Sequence, residues 1–232
     1  MRFIILCCLI VLLLVTTIPA TGNMSQNCIK GGPHDLSSKG ASSSFGDSVE
    51  QAGLDRVCVY CHTGHLAIEV SAQNAAANYL PLWNHTLSNT QFAQYNNGTT
   101  SQISGISVLC MSCHDGSIAT NSFGANQTSP QQRSGGATHY ISSSNPAYLG
   151  GDATLSNSHP IGFNYAFIQA SEPDIAPSSN AMGTTGQTIG DFLDNGIMTC
   201  ATCHEVHGCN ISSSLTVVTD SQSAFCLTCH LK

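Results

Sequence analysis

Four times the chain places two cysteines three residues apart with a histidine directly after them: CVYCH at 58–62, CMSCH at 110–114, CATCH at 200–204 and CLTCH at 226–230. A lone CxxC reads as a zinc or redox-dithiol site. Here every CxxC is closed by His. With 10 histidines in 232 residues, four such coincidences come to roughly one in 3×10⁵. Covalent haem attachment requires this spacing, because each thiol adds to one vinyl group of the porphyrin and the histidine ligates iron from the face the chain approaches. The pattern implies four c-type haems, attached through Cys58, Cys61, Cys110, Cys113, Cys200, Cys203, Cys226 and Cys229. Their proximal iron ligands are His62, His114, His204 and His230.

Such a chain has little else from which to build a centre. Aromatic residues are 6% of the total, and the stretches between motifs are rich in Gly, Ser, Asn and Thr. Four macrocycles supply the missing apolar mass, so the expected fold is a multihaem cytochrome c: mostly coil with short helices and few short strands, wrapped around a stacked haem chain that serves as the core. Each motif is expected on a short helical turn, because thiols three apart must face one porphyrin edge. Residues 66–79 can form one short helix, whereas 115–199 read as loops and short strands. Without haem the chain is not expected to fold.

Ahead of the motifs lie two further segments. Residues 1–22 carry Arg2, a short apolar run and small residues after Pro19, which is the pattern of a secretory signal; a retained membrane anchor is the alternative. Residues 23–57 form an N-terminal arm in which Gly31, Gly32 and Pro33 disfavour helix and present His34 on an extended or turning segment. The tetrahaem domain then occupies 58–232. An exported chain matches covalent haem attachment and places the protein outside the cell or at its surface. Of 12 cysteines, eight belong to the motifs, and Cys7 and Cys8 lie in the signal. That leaves Cys28 and Cys209 as an expected disulfide, with two free thiols as the alternative. Sequons at Asn23, Asn84, Asn97, Asn126 and Asn210 make the chain a possible glycoprotein.

Six histidines remain for the opposite faces of the irons: His34, His65, His85, His139, His159 and His207. Met24, Met111, Met182 and Met198 compete as axial ligands, but the surplus of histidine favours bis-histidine sites. His65 and His207 each follow a proximal ligand by three residues; on a helical turn neither reaches round its own porphyrin, so each is expected to ligate a neighbouring haem. His159 precedes Pro160, which holds it extended and suited to projecting an imidazole. His85 and His139 read better as solvated or haem-edge residues, and Trp83, the only tryptophan, as packing beside a haem edge. His34 is then the best candidate for the fourth distal site. It lies 24 residues ahead of Cys58, and at about 3.3 Å per residue the arm can close a haem in its own subunit or in the next.

The segments GGPHDLSS, CVYCHTGH, LCMSCHDG, LSNSHPIGF, CATCHEVHG and FCLTCHLK, in this order, resemble the small tetrahaem outer-surface cytochromes that polymerise into extracellular haem filaments, the cytochrome nanowires. The likeness runs over most of the chain beyond its signal. It implies a coil-rich fold, a continuous haem stack, bis-histidine irons, and one distal histidine supplied by the next subunit in a head-to-tail homopolymer. In that case His34 is the donated ligand. Redox partners or extracellular electron acceptors follow from the same resemblance.

Two function classes remain to be told apart. The first is an electron conduit, as filament subunit or as a soluble or membrane-anchored carrier. The second is a multihaem reductase, which needs an iron with an open position. Distal candidates for every iron and the lack of an altered attachment motif favour the conduit, a non-enzyme. The net charge of −7 excludes nucleic acid as a natural partner. With charged residues at only 8%, the uncharged polar surface suits glycans or subunit packing more than electrostatic docking.

Overall fold

The computed structural model describes residues 29–37, 56–68, 82–95, 100–101, 103, 105–124, 139–208 and 214–231. The signal segment, Cys28, Cys209, Met24, most of the expected helix 66–79, and the sequons at Asn23, Asn97, Asn126 and Asn210 lie outside the described residues. Among those described, coil and turn dominate. The regular elements are the two-residue strands β1 (Phe92–Ala93) and β2 (Thr100–Ser101) and four helices: α1 (Ser107–His114), α2 (Tyr165–Ser171), α3 (Cys200–Cys203) and α4 (Cys226–Cys229). The strands pair antiparallel, Phe92 with Ser101 and Ala93 with Thr100. No described helix is long and apolar enough to cross a membrane.

All four motifs lie on helical turns. The first occupies a 3-10 turn at Cys58–Tyr60, the second ends α1, and the third and fourth are α3 and α4. Helix α1 starts where Gly105 takes φ 63° and the Asp194 carboxylate accepts from the Ile106 amide at 3.2 Å. It stops at Gly116, whose φ of 68° places it in the left-handed region that Gly enters without a Cβ clash. Ser107, the first residue of α1, accepts from the Cys200 amide at 3.1 Å and so ties the second motif to the third.

The polypeptide builds two small apolar clusters of its own, more core than its composition suggests. Phe92, Ile103, Val108, Met111 and Leu155 form one. Tyr165, Ala176, Met182, Ile189, Met198, Val217 and Val218 form the other, with Phe225 and Cys229 against it. Met111, Met182 and Met198 are therefore core residues, 1%, 1% and 4% exposed. Their thioethers fill irregular apolar space, as methionine does well, and the expected competition for iron does not arise at these three.

Helix α2 departs from the reading of 115–199 as loops and short strands. Asn164 caps it by accepting from the Phe167 amide at 3.0 Å. Tyr165 anchors it: 2% exposed, its hydroxyl donates to the Ala176 carbonyl at 2.8 Å.

Candidate functional site

Each motif histidine is fixed by backbone contacts from a distant segment. His62 forms an isolated bridge with Trp83, His204 with Thr216 and His230 with Ile175. The His114 carbonyl accepts from the Leu149 amide at 2.8 Å. Asn84 steadies the first motif: its amide nitrogen donates to the Val59 carbonyl at 2.6 Å, and its side-chain oxygen accepts from Gly124 at 2.9 Å. With both ends engaged and 4% exposure, Asn84 has no room for a glycan in the folded chain, so this sequon serves packing.

Three of the four motif histidines lie near one non-motif histidine each. Ring centroids are 6.0 Å apart for His62 and His207, 6.0 Å for His114 and His34, and 6.4 Å for His230 and His159. A metal–imidazole bond of about 2 Å, with the ring centre about 1.2 Å behind its nitrogen, puts two axial imidazoles across one iron about 6–6.5 Å apart. Each of these contacts joins a motif histidine to a non-motif histidine. The donor chemistry is consistent as well. The Nδ1 atoms of His114, His159 and His204 lie 2.7, 3.0 and 2.8 Å from the carbonyls of Ala147, Pro160 and Ser214. Such a bond holds the proton on Nδ1 and turns the Nε2 lone pair outward for a metal.

His34 reaches its place through a compact turn. Asp35, 2% exposed, accepts from the amides of Gly31 and Ser37 and from the Ser37 hydroxyl at 2.6, 3.1 and 2.6 Å. Burial, with the neighbouring His114, His204 and His207, pushes His34 down to about 4, which leaves its imidazole neutral and able to ligate. The arm thus seats His34 beside His114 of its own chain, where the resemblance sends it to the next subunit.

His65 and His204 stand apart. Both are exposed, and among the described residues neither meets a second imidazole at axial distance. His207 thus lies beside His62 of another motif, whereas His65 meets no second imidazole at that distance among the described residues. The helical-turn premise fails locally. The first helical turn ends at Tyr60, and Leu66 at φ 58° turns the chain outward, while His204 is extended at φ −120° and ψ 133°. His207 returns because the chain reverses there, with the Gly208 amide bound to the Glu205 carbonyl at 3.1 Å. Its Nδ1 lies 3.5 Å from Glu205 Oε1.

His85 is 1% exposed, neither solvated nor at axial distance from a motif histidine. Its ring nitrogens each lie 2.9 Å from a carbonyl, of Thr86 and Ala119, and its Nε2 is 3.5 Å from Cys113 Sγ. The neutral ring donates through one of these nitrogens only, to Thr86 or to Ala119. His139 is half-buried and held through its backbone, its carbonyl accepting from the Thr120 amide at 2.7 Å.

The motif cysteines lie in succession. Cys61 neighbours Cys113, Cys110 shares a hydrogen bond with Cys200, and Cys203 neighbours Cys229 and Cys226. As thiols, Cys61, Cys113 and Cys203 are pushed up by burial to about 11, 12 and 11. The shared bond raises Cys110 and lowers Cys200. Among the described residues no three or more His, Cys, Asp or Glu side chains converge as a metal cluster.

Among the described residues, His34 Nδ1, Trp83 Nε1 and Thr199 Oγ1 are among the buried polar atoms with no hydrogen-bond partner. A buried donor left unpaired costs about 1–3 kcal/mol. All three border the motifs, since His34 faces His114, Trp83 faces His62 and Thr199 precedes Cys200. The cysteine spacing, the neutral imidazole donors, the axial separations and these orphaned atoms together fit haem. No known protein family matches the chain, and no curated protein does.

Proposed function

We propose that this protein is an extracellular electron-transfer protein carrying four covalent c-type haems, and that it polymerises head to tail. The haems would supply one-electron exchange between ferric and ferrous iron. The chain's own residues attach them through the eight motif cysteines and hold each iron between imidazoles. They also set the haems side by side through the neighbouring cysteines of successive motifs. The observation that carries this reading is the set of three contacts between a motif histidine and a spare histidine at 6.0, 6.0 and 6.4 Å.

The fourth position supports assembly. His204 meets no second imidazole at axial distance among the described residues, and the same chain exposes one at His65. A ligand given by one subunit and taken by the next is a heterologous contact, which propagates as an open filament when its rotation does not close. His65 thereby replaces His34 as the donated ligand. His204 also supports a second reading, because an iron held on one side only is what a reductase needs.

Mass spectrometry of the exported protein tests the cofactor count: four additions of about 616 Da are expected, one per motif, and fewer would remove a motif from this role. Spin state tests assembly against catalysis. Filaments are expected to be wholly low-spin and the isolated subunit to show one high-spin haem; a high-spin haem persisting in the polymer would move the assignment to a reductase.

A further inference from the structure

Trp83 combines three features. It is 8% exposed, its Nε1 has no hydrogen-bond partner, and its ring stands edge-on to His62 at 6.2 Å with an interplanar angle of 89°. Burial holds the indole in place on an anchored backbone. Trp83 bridges His62, and its carbonyl accepts from the Ile68 amide at 2.9 Å. The next residue, Asn84, is tied to Val59 and Gly124. The donor therefore stays at the first motif whether or not the protein offers it an acceptor.

A haem attached at Cys58 and Cys61 brings one kind of strong acceptor. Its pyrrole nitrogens are taken by iron, which leaves the two propionate carboxylates. Cations for them are scarce, since the whole chain has six Lys and Arg against 13 Asp and Glu before any propionate is added. Neutral N–H donors must take a share of that charge, and a buried carboxylate without donors is unfavourable. We infer that Trp83 Nε1–H donates a hydrogen bond to a propionate of the haem held by Cys58, Cys61 and His62, anchoring that haem and raising its potential. The inference rests on the haem reading of the first motif. The sign follows from charge: a donor on the carboxylate draws negative charge away from the iron, and this favours the ferrous form.

Because Trp83 is the only tryptophan, ultraviolet resonance Raman of the four-haem protein reports its indole N–H without ambiguity. The marker band is expected at its hydrogen-bonded position. Redox titration of Trp83→Phe is expected to lower the potential of one haem, leave the other three in place and shift a propionate band in the redox-difference infrared spectrum. Trp83→Gln, which keeps a donor, is expected to restore part of both. A marker band at the free N–H position in wild-type protein overturns the inference, and so does a hydrogen-bonded band with potentials and propionate bands unmoved in Trp83→Phe, since the acceptor would then be water. The wild-type spectrum decides even if the variant does not fold. A protein with no haem at Cys58 and Cys61 would instead end the proposed function at that motif.

Discussion

In the proposed function, distal ligation would turn on single imidazoles whose partners the chain brings together from far apart. His34 and His114 are 80 positions apart in the sequence, and the Asp35 turn brings their rings to 6.0 Å. His34→Ala is therefore expected to give one high-spin haem in each subunit, seen by magnetic circular dichroism, while filaments still form; loss of assembly would return His34 to the subunit interface. Met111 differs in kind. Met111→Ala empties a core position at a cost of about 2–5 kcal/mol in denaturant unfolding, with every iron's spin state unchanged. Acid acts through His85, whose value burial lowers against the opposing bonds to Thr86, Ala119 and Thr120. The unfolded ring takes a proton near 6.5 and the folded one only at lower pH, so stability is full above about 6.5 and falls as pH drops below it. In a pH series of unfolding midpoints, His85→Gln is expected to fall less steeply than wild type below pH 6.5. The motif histidines were legible as a set because each follows a CxxC directly. Which other histidine meets each of them was not, since that depends on loop paths that no local pattern encodes.

At the scale of elements, the helical turns at the motifs were readable for the same reason: thiols three apart must share a face. Helix α2 was not, although its cap was in plain sight. Asn164 followed by Tyr165 gives a start signal, but in a stretch dominated by Gly, Ser and Thr a seven-residue helix is held by its anchor rather than by propensity, and that anchor is a hydroxyl bound to Ala176, 11 residues on. Asn164→Ala is expected to cost about 1 kcal/mol through the lost cap. Tyr165→Phe should cost a similar amount, about 0.5–1.5 kcal/mol, and circular dichroism with denaturant unfolding measures both. Ser107 makes the corresponding join between motifs. Ser107→Ala leaves the Cys200 amide without its acceptor and is expected to destabilise by about 1–3 kcal/mol. Its expected effect falls on the contact between the second and third motifs, and unchanged proteolytic protection of both would remove Ser107 from that role.

For the whole molecule, the decisive asymmetry in the proposed filament is that the exposed His65 and the motif histidine His204 each meet no second imidazole at axial distance among the described residues. Give and take lie on different residues, so the contact has a direction and a variant can lose one function while keeping the other. A His65→Ala subunit retains His204 and can still accept His65 from a wild-type neighbour, but it has nothing to donate. It should join a growing filament at one end only and stop growth there. Substoichiometric His65→Ala protein is thus expected to shorten wild-type filaments in electron micrographs in proportion to its fraction, and pure His65→Ala protein to stay monomeric with one high-spin haem. Free imidazole separates ligation from assembly, because it can fill the axial position but cannot link two subunits. Added to the variant it should convert the high-spin signal to low-spin without restoring filaments. Filaments of normal length from His65→Ala protein would assign the contact to another surface, and a monomeric variant that is already fully low-spin would show that His204 finds its partner within its own chain.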